Sequence, residues 1–203
     1  MDEVWLRTDE SEDVAASIRH CRASLALSQT DLHAIKWVLL SLHSALQGAC
    51  VCHLTTTFGP VGAVTKQNTM EWIKWSEDGR NDSTLSPPAT KIANLPDLLK
   101  RIRKSYSAGD GSNASGISLS NSEYDWWNRI HSDIRNQFTH FAPMGWSVDV
   151  SGVPALVQLT TRLIRDIAAV GWAFRHTNAD WKSELMANLV KLEEQASSFV
   201  APA

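Results

Sequence analysis

Apolar residues recur at steps of three and four along most of the chain, which is the spacing of one face of an α-helix. This pattern predicts four long helices, at about Ser11–Leu27, Asp31–Leu54, Val153–Phe174 and Asp180–Ser197. The second of them is apolar on most sides and should lie at the centre of the fold. With no internal repeat evident, the sequence predicts an all-α fold, an antiparallel bundle of four to five helices.

Helical spacing weakens between residues 58 and 117, where glycine and proline interrupt the pattern. Two short helices are predicted there, at about Met70–Trp75 and Leu95–Lys104. Neither could bury a core alone, so this stretch is predicted to be an irregular insertion rather than a second domain. The expected organisation is one helical domain over residues 1–203, with 58–117 as the insertion.

A further helix, which we call the motif helix, begins where Ser120 is followed three residues later by Glu123, the spacing of a capping box. It is predicted to run to about Phe141 and to end before Pro143. Five apolar residues should form its core-facing seam: Trp127, Ile130, Ile134, Phe138 and Phe141. Beyond the motif helix, the alternating residues 146–150 favour a short strand or hairpin arm.

Polar side chains occupy the other side of the motif helix. Since an α-helix turns by about 100° per residue, four of them should stack on one line: Arg129, Asp133, Asn136 and His140. Arg135 falls on the shoulder between this line and the seam. Such a line is often a solvated face, in which Arg129 and Asp133 would form an ordinary i,i+4 ion pair.

The residue types at the end of the motif helix also suit chemistry. Arginine is a permanent cation, asparagine offers donors and an acceptor, and histidine titrates near neutral pH. Together they could cleave a phosphodiester without a metal, because histidine transfers protons and arginine stabilises charge on the phosphoryl oxygens.

The sequence Arg135-Asn136-(x)3-His140 resembles the R-x4–6-H motif of the HEPN family (higher eukaryotes and prokaryotes nucleotide-binding), which also lies late in a long helix. The resemblance covers residues 9–57 and 118–197, and 58–117 would be a family-variable insertion. It implies a HEPN-like bundle that forms a homodimer. The two motif helices would then lie near the dimer axis, with both Arg-Asn-His sets in one cleft.

The resemblance further implies a metal-independent endoribonuclease, often a toxin with a partner antitoxin or a defence component, so RNA and an antitoxin protein are the implied partners. His140 would be the acid or base, Arg135 the clamp for phosphate and transition state, and Asn136 the orienting residue. Three others would be supporting residues at most: Asp133, Arg129 and His131. Other family members bind nucleotides or lack catalysis. The alternative is therefore a catalytically inactive dimerisation module that binds a nucleotide or a protein.

Charge limits the RNA-binding interpretation. The formal net charge is −3, which gives no general attraction to nucleic acid, and nothing in the sequence signals DNA. RNA contact would depend on a local basic patch, and the densest one lies on the second insertion helix: Lys100, Arg101, Arg103 and Lys104. A solvated helix face explains these residues at least as well.

Cysteine and histidine form no recognisable metal pattern. Cys50 and Cys52 would point about 200° apart on a helix, and no second ligand pair with zinc spacing exists. With Cys21 they are typical of reduced core thiols, so we expect no metal, no cofactor and a cytoplasmic protein. His43 should be a polar-face or a satisfied core histidine, and His131 a surface residue.

Two further features exclude simple alternatives. The longest apolar stretch, residues 35–54, is interrupted by polar side chains, and no signal peptide is visible, so no membrane segment is expected. The chain has nine tryptophans, of which the consecutive Trp126 and Trp127 cannot both face the core. Packing in the core and at interfaces is favoured for them over a base-stacking platform.

Overall fold

Helices form most of the chain in the computed structural model, which describes residues 3–79, 82, 84–140 and 145–199. They are α1 (Glu10–Leu27), α2 (Ile35–Leu54), α3 (Lys66–Gly79), α4 (Leu95–Ile102), α5 (Asn121–Arg129), α6 (Asn136–His140), α7 (Val153–Val170) and α8 (Ala179–Ser197). A 3-10 turn, Leu32–Ala34, precedes α2. A π-helical segment, Ile130–Arg135, joins α5 to α6 and completes the motif helix. The predicted all-α class is confirmed.

The central position of α2 follows from its apolar pattern. Helices α1, α4 and α7 pack against it, and α8 packs against α1 and α7. Residues Leu32–Leu54 are long and apolar enough to cross a membrane by length and composition alone, with a hydropathy of 1.3. In this fold 61% of the apolar 18-residue stretch within that segment is buried, as expected for the core helix of a bundle.

The helix ends have local causes. Asp9 Oδ1 accepts a hydrogen bond from the Glu12 amide at 2.9 Å, which caps the beginning of α1. Helix α7 ends earlier than predicted because Gly171 adopts a left-handed conformation, with φ of 88°, that terminates a helix.

The second half of the predicted insertion belongs to the core. Four side chains of α4 are completely buried within the same apolar cluster as α2: Leu95, Leu98, Leu99 and Ile102. Beside this apolar face, Arg101 Nη1 donates to the carbonyl oxygens of Gly62 and Val64, both at 2.7 Å. The prediction that 58–117 is an excursion from the bundle is therefore wrong for α4, whose apolar face contributes directly to the core.

The segment after the motif helix is not a strand. Residues 145–150 have no regular structure and form no β-bridge with any described residue. The Trp146 ring instead packs edge-on against Phe138, with ring centres 4.8 Å apart, and Val150 packs against the core. These contacts with helices take the place of the hairpin that the alternating pattern favoured.

The motif helix begins as predicted. Ser120 and Glu123 form both hydrogen bonds of the capping box. Trp127 and Ile130 are buried, whereas Trp126 is half-buried at the edge of the core. Farther along the helix the seam is less buried, since Ile134 and Phe138 are only half-buried. Phe141 and Pro143 lie outside the described residues.

Candidate functional site

The π segment changes the phase of the motif helix. A π turn places one additional residue in the helix, so α6 is rotated relative to the regular helix that the prediction assumed. Arg129 and Asp133 line one cavity, of about 580 Å³, beside residues 146–153. Arg135 and Thr139 line another. The π segment ends between Asp133 and Asn136, so the regular spacing on which the predicted single polar line depends does not hold there.

The predicted ion pair between Arg129 and Asp133 is also absent. Both side chains are exposed, and neither is within ion-pair distance of any charged group among the residues that the structure describes. Asp133 lies within the π segment, where the wider turn displaces it from the i,i+4 position that such a pair requires.

Arg135 lies at an open cavity of about 750 Å³ between α1, α2 and the motif helix. Its guanidinium donates from Nη1 to Asn136 Oδ1 at 3.1 Å. The Asn136 amide in turn donates from Nδ2 to the Ser132 carbonyl oxygen at 3.1 Å, and Thr139 Oγ1 donates to the Arg135 carbonyl oxygen at 3.0 Å. Hydrogen bonds between residues close in sequence thus hold the half-buried arginine and its neighbour at the helix end.

The charge of Arg135 is not neutralised by a direct partner. No carboxylate among the described residues forms an ion pair with it, in contrast to Arg162 and Arg165, which pair with acidic side chains. Three acidic side chains at the beginning of α1 line the same cavity, and none of them forms an ion pair with Arg135: Asp9, Glu10 and Asp13. The guanidinium is therefore available to an anion, although the opposite wall is negative.

A pair of histidines connects α2 to the π segment. His43 Nε2 lies 2.9 Å from His131 Nδ1, and the two rings are nearly parallel, at 15°. His43 is only 6% exposed, lines the cavity of Arg135 and has Trp127 edge-on at 6.4 Å. His43 is thus a satisfied core histidine, one of the two expected positions. The expected surface position of His131 is wrong, because this residue follows the buried Trp127 by about one turn and its ring contacts His43 of α2.

Both imidazoles are held in the neutral form. Burial, followed by the neighbouring His131 and Arg135, lowers the pKa of His43 to about 3. Burial also lowers the pKa of His131, followed by the charge of Arg135, while Asp97 on α4 acts in the opposite direction. At neutral pH the pair therefore carries no charge, and its hydrogen bond joins a donor N–H to an acceptor nitrogen.

His140 ends α6, and only its backbone is among the described residues. Of the three predicted catalytic residues, Arg135 and Asn136 are hydrogen-bonded neighbours, and the backbone of His140 follows within a turn and a half of the same helix.

The basic cluster on α4 is divided among different contacts. Arg101 binds backbone carbonyl groups, and Arg103 Nη2 donates to Asn121 Oδ1 at 2.7 Å. Lys100 lies over the Tyr124 ring at 5.6 Å and near Asp97 at 3.7 Å. Lys104 is exposed just beyond α4. None of the four lines the cavity of Arg135.

The cysteines have the structural positions that their pattern predicts. Cys21, Cys50 and Cys52 are buried free thiols, and burial raises the pKa of each. Within the described part of the chain, no group of three or more His, Cys, Asp or Glu side chains could hold a metal ion. His53 Nε2 bonds instead to Ser107 Oγ at 3.0 Å, joining the end of α2 to the loop after α4.

The fold therefore defines this protein as an all-α helical bundle with a cavity beside its motif helix that is lined by Arg135 and by acidic residues of α1 and its cap. Comparison of the chain with protein-family models, with curated proteins and with solved structures finds no match.

Proposed function

We propose that this protein is a metal-independent endoribonuclease of the HEPN type that acts as a homodimer in the cytoplasm. The observation that carries the proposal is the state of Arg135: a half-buried guanidinium at a cavity, bound to a neutral amide rather than to a carboxylate. A guanidinium in this state keeps donors for a phosphate, which it can bind bidentately.

The proposed chemistry divides among the three motif residues. Arg135 binds the scissile phosphate and stabilises the charge that develops on its oxygens. Asn136 fixes the orientation of that guanidinium through its amide oxygen. His140 transfers a proton while the ribose 2′-oxygen attacks phosphorus and the bond to the 5′-oxygen breaks. The products are a 2′,3′-cyclic phosphate and a 5′-hydroxyl.

The experiment compares purified wild type with Arg135→Ala and His140→Ala on mixed RNA in the presence of a chelator. Arg19→Ala is the matched control, because it removes an exposed arginine of α1 whose pair with Glu184, at 3.8 Å, is a surface contact. Wild type and Arg19→Ala should cleave RNA, whereas both motif variants should lose at least about 100-fold in rate. Light scattering establishes the dimer beforehand. An intact wild-type dimer without activity, or equal activity in all four proteins, would contradict the proposal.

A second candidate function is favoured by the acidic wall of the cavity. Glu10 and Asp13 would repel an RNA phosphate at Arg135 but would attract a basic segment of a partner protein, such as an antitoxin. The protein would then be a catalytically inactive binding module. In the same assay this function predicts no cleavage by any variant, together with binding of a lysine- and arginine-rich peptide that weakens on Glu10→Gln.

A further inference from the structure

The imidazole pair and the candidate phosphate site share one helix. His131 precedes Arg135 by four residues, and His140 follows it by five. His131 and Arg135 both belong to the π segment, and the charge of Arg135 lowers the pKa of His131, so the two side chains are neighbours. Because His43 lines the cavity of Arg135 and bonds to His131, a phosphate bound at Arg135 would lie beside this imidazole pair.

We propose that His131 is a second proton-transfer group of this site and that His43 is its positioning residue. The inference rests on the ribonuclease function proposed above. It differs from the family resemblance, which supplies a single histidine per chain, because each motif helix would carry both an acid and a base.

The hydrogen bond between the histidines determines which nitrogen of His131 is available. If His131 donates its Nδ1 proton to His43 Nε2, then the lone pair of His131 is on Nε2. No described residue binds that Nε2 atom, and the residue is half-buried, so the atom is open to solvent. The buried His43 ring, fixed by Trp127 on one side, would hold both the tautomer and the orientation of His131.

The surrounding charges suit the role of a base. His131 faces His43 of α2, Arg135 of its own helix and Asp97 of α4. Burial and Arg135 lower its pKa against the weaker opposite effect of Asp97, so the ring is unprotonated at neutral pH. A neutral imidazole accepts a proton readily, while a protonated His140 would donate one.

The proposed reaction conserves protons. His131 Nε2 accepts the proton of the ribose 2′-hydroxyl as the 2′-oxygen attacks phosphorus. Protonated His140 donates a proton to the 5′-oxygen as its bond to phosphorus breaks. The two imidazoles have then exchanged protonation states, and solvent restores them between turnovers.

The first test reads the tautomer directly by 15N NMR of histidine-labelled protein at pH 7. Wild type should show His131 protonated on Nδ1 and unprotonated on Nε2. His43→Gln should preserve this state, because its amide oxygen reaches the position of the lost Nε2 atom and can accept the same hydrogen bond. His43→Leu should shift His131 toward the other tautomer. Observation of His131 protonated on Nε2 in the wild type would overturn the inference.

The second test measures single-turnover RNA cleavage against pH. His131→Asn keeps a polar atom at the Nδ1 position but cannot transfer a proton, so its rate should fall about 100-fold or more. His43→Gln should keep most of the activity, and His43→Leu should lose about 10-fold and shift the acidic limb of the profile, with far-UV circular dichroism confirming the fold of each. If wild type cleaves RNA and His131→Asn is equally active, this inference falls and the proposed function stands. If an intact wild-type dimer does not cleave RNA, both fall.

Discussion

The Nε2 atom of His43 lies 2.9 Å from Nδ1 of His131, and this hydrogen bond joins the middle of the buried helix α2 to the π segment of the motif helix. A π segment adds one residue to a helix and is often found at functional sites. Here it contains both His131, which bonds to α2, and Arg135, which lines the adjacent cavity. The pair therefore connects the core of the bundle to the candidate phosphate site.

The first prediction concerns stability at acidic pH. The folded state lowers the pKa of His43 from 6.5 to about 3, so between these values the unfolded chain binds more protons and the free energy of unfolding falls as the pH falls. From pH 7 to pH 5 we expect this residue to remove about 2 kcal/mol. Urea unfolding of wild type and His43→Leu at both values measures it.

His53 adds a parallel effect, because burial lowers its pKa to about 4. The His43→Leu variant should therefore keep part of the pH dependence and lose the share that belongs to His43. Identical losses of stability in the two proteins between pH 7 and pH 5 would contradict the assignment.

The second prediction concerns Asn136. Replacement by alanine removes the acceptor for Arg135 Nη1, so the RNA cleavage rate should fall about 10-fold by loss of orientation. Asn136→Asp would instead place a carboxylate beside the guanidinium, form an ion pair and compete with phosphate, so KM for RNA should rise. Steady-state kinetics separate the two outcomes. Equal kinetic constants in both variants would argue against an orienting amide.

The third prediction uses the acidic wall of the cavity. Glu10→Gln removes one negative charge that faces the Arg135 site, so RNA should bind about 2- to 5-fold more tightly at low salt. Glu12→Gln is the matched control, since Glu12 belongs to the same turn of α1 but does not line the cavity. Fluorescence anisotropy with a labelled RNA at two salt concentrations measures both. Equal gains in the two variants would show a general charge effect rather than a local one.

The fourth prediction concerns the loop after α4. A Cβ atom at Gly109 would collide with the Thr55 carbonyl oxygen and the Trp172 indole nitrogen, and the Gly109 amide donates to the His53 carbonyl oxygen at 2.8 Å. Gly109→Ala should therefore destabilise the fold by about 1–3 kcal/mol. Gly145→Ala, whose Cβ would meet no atom of the described residues within 4 Å, should be close to neutral in the same urea titration. A neutral Gly109→Ala would mean that this loop can move away from the end of α2.

Local sequence signals were enough to predict most helices. The capping box at Ser120 and Glu123 located the beginning of the motif helix, because both hydrogen bonds are made within one turn. Of the consecutive Trp126 and Trp127, only Trp127 is buried, as the helical period requires. Residue types also indicated Arg135 as a candidate, and its hydrogen bond to Asn136 is between sequence neighbours.

The same signals failed where distant segments meet. The rotation of α6, the contact of His131 with His43 and the burial of α4 each depend on packing between residues far apart in the chain. Periodicity predicts which face of a regular helix is apolar. A π turn shifts that face by one residue, and the spacing of apolar residues does not show where such a turn occurs.

The sequence by itself therefore determined the all-α class, the central helix and the Arg-Asn-His pattern, because short-range hydrogen bonding and apolar periodicity specify them. Only the tertiary structure decided which polar groups share a cavity and which histidine faces the core. The physical reason is that burial, which holds His43 and His131 neutral, arises from side chains that the whole fold brings together.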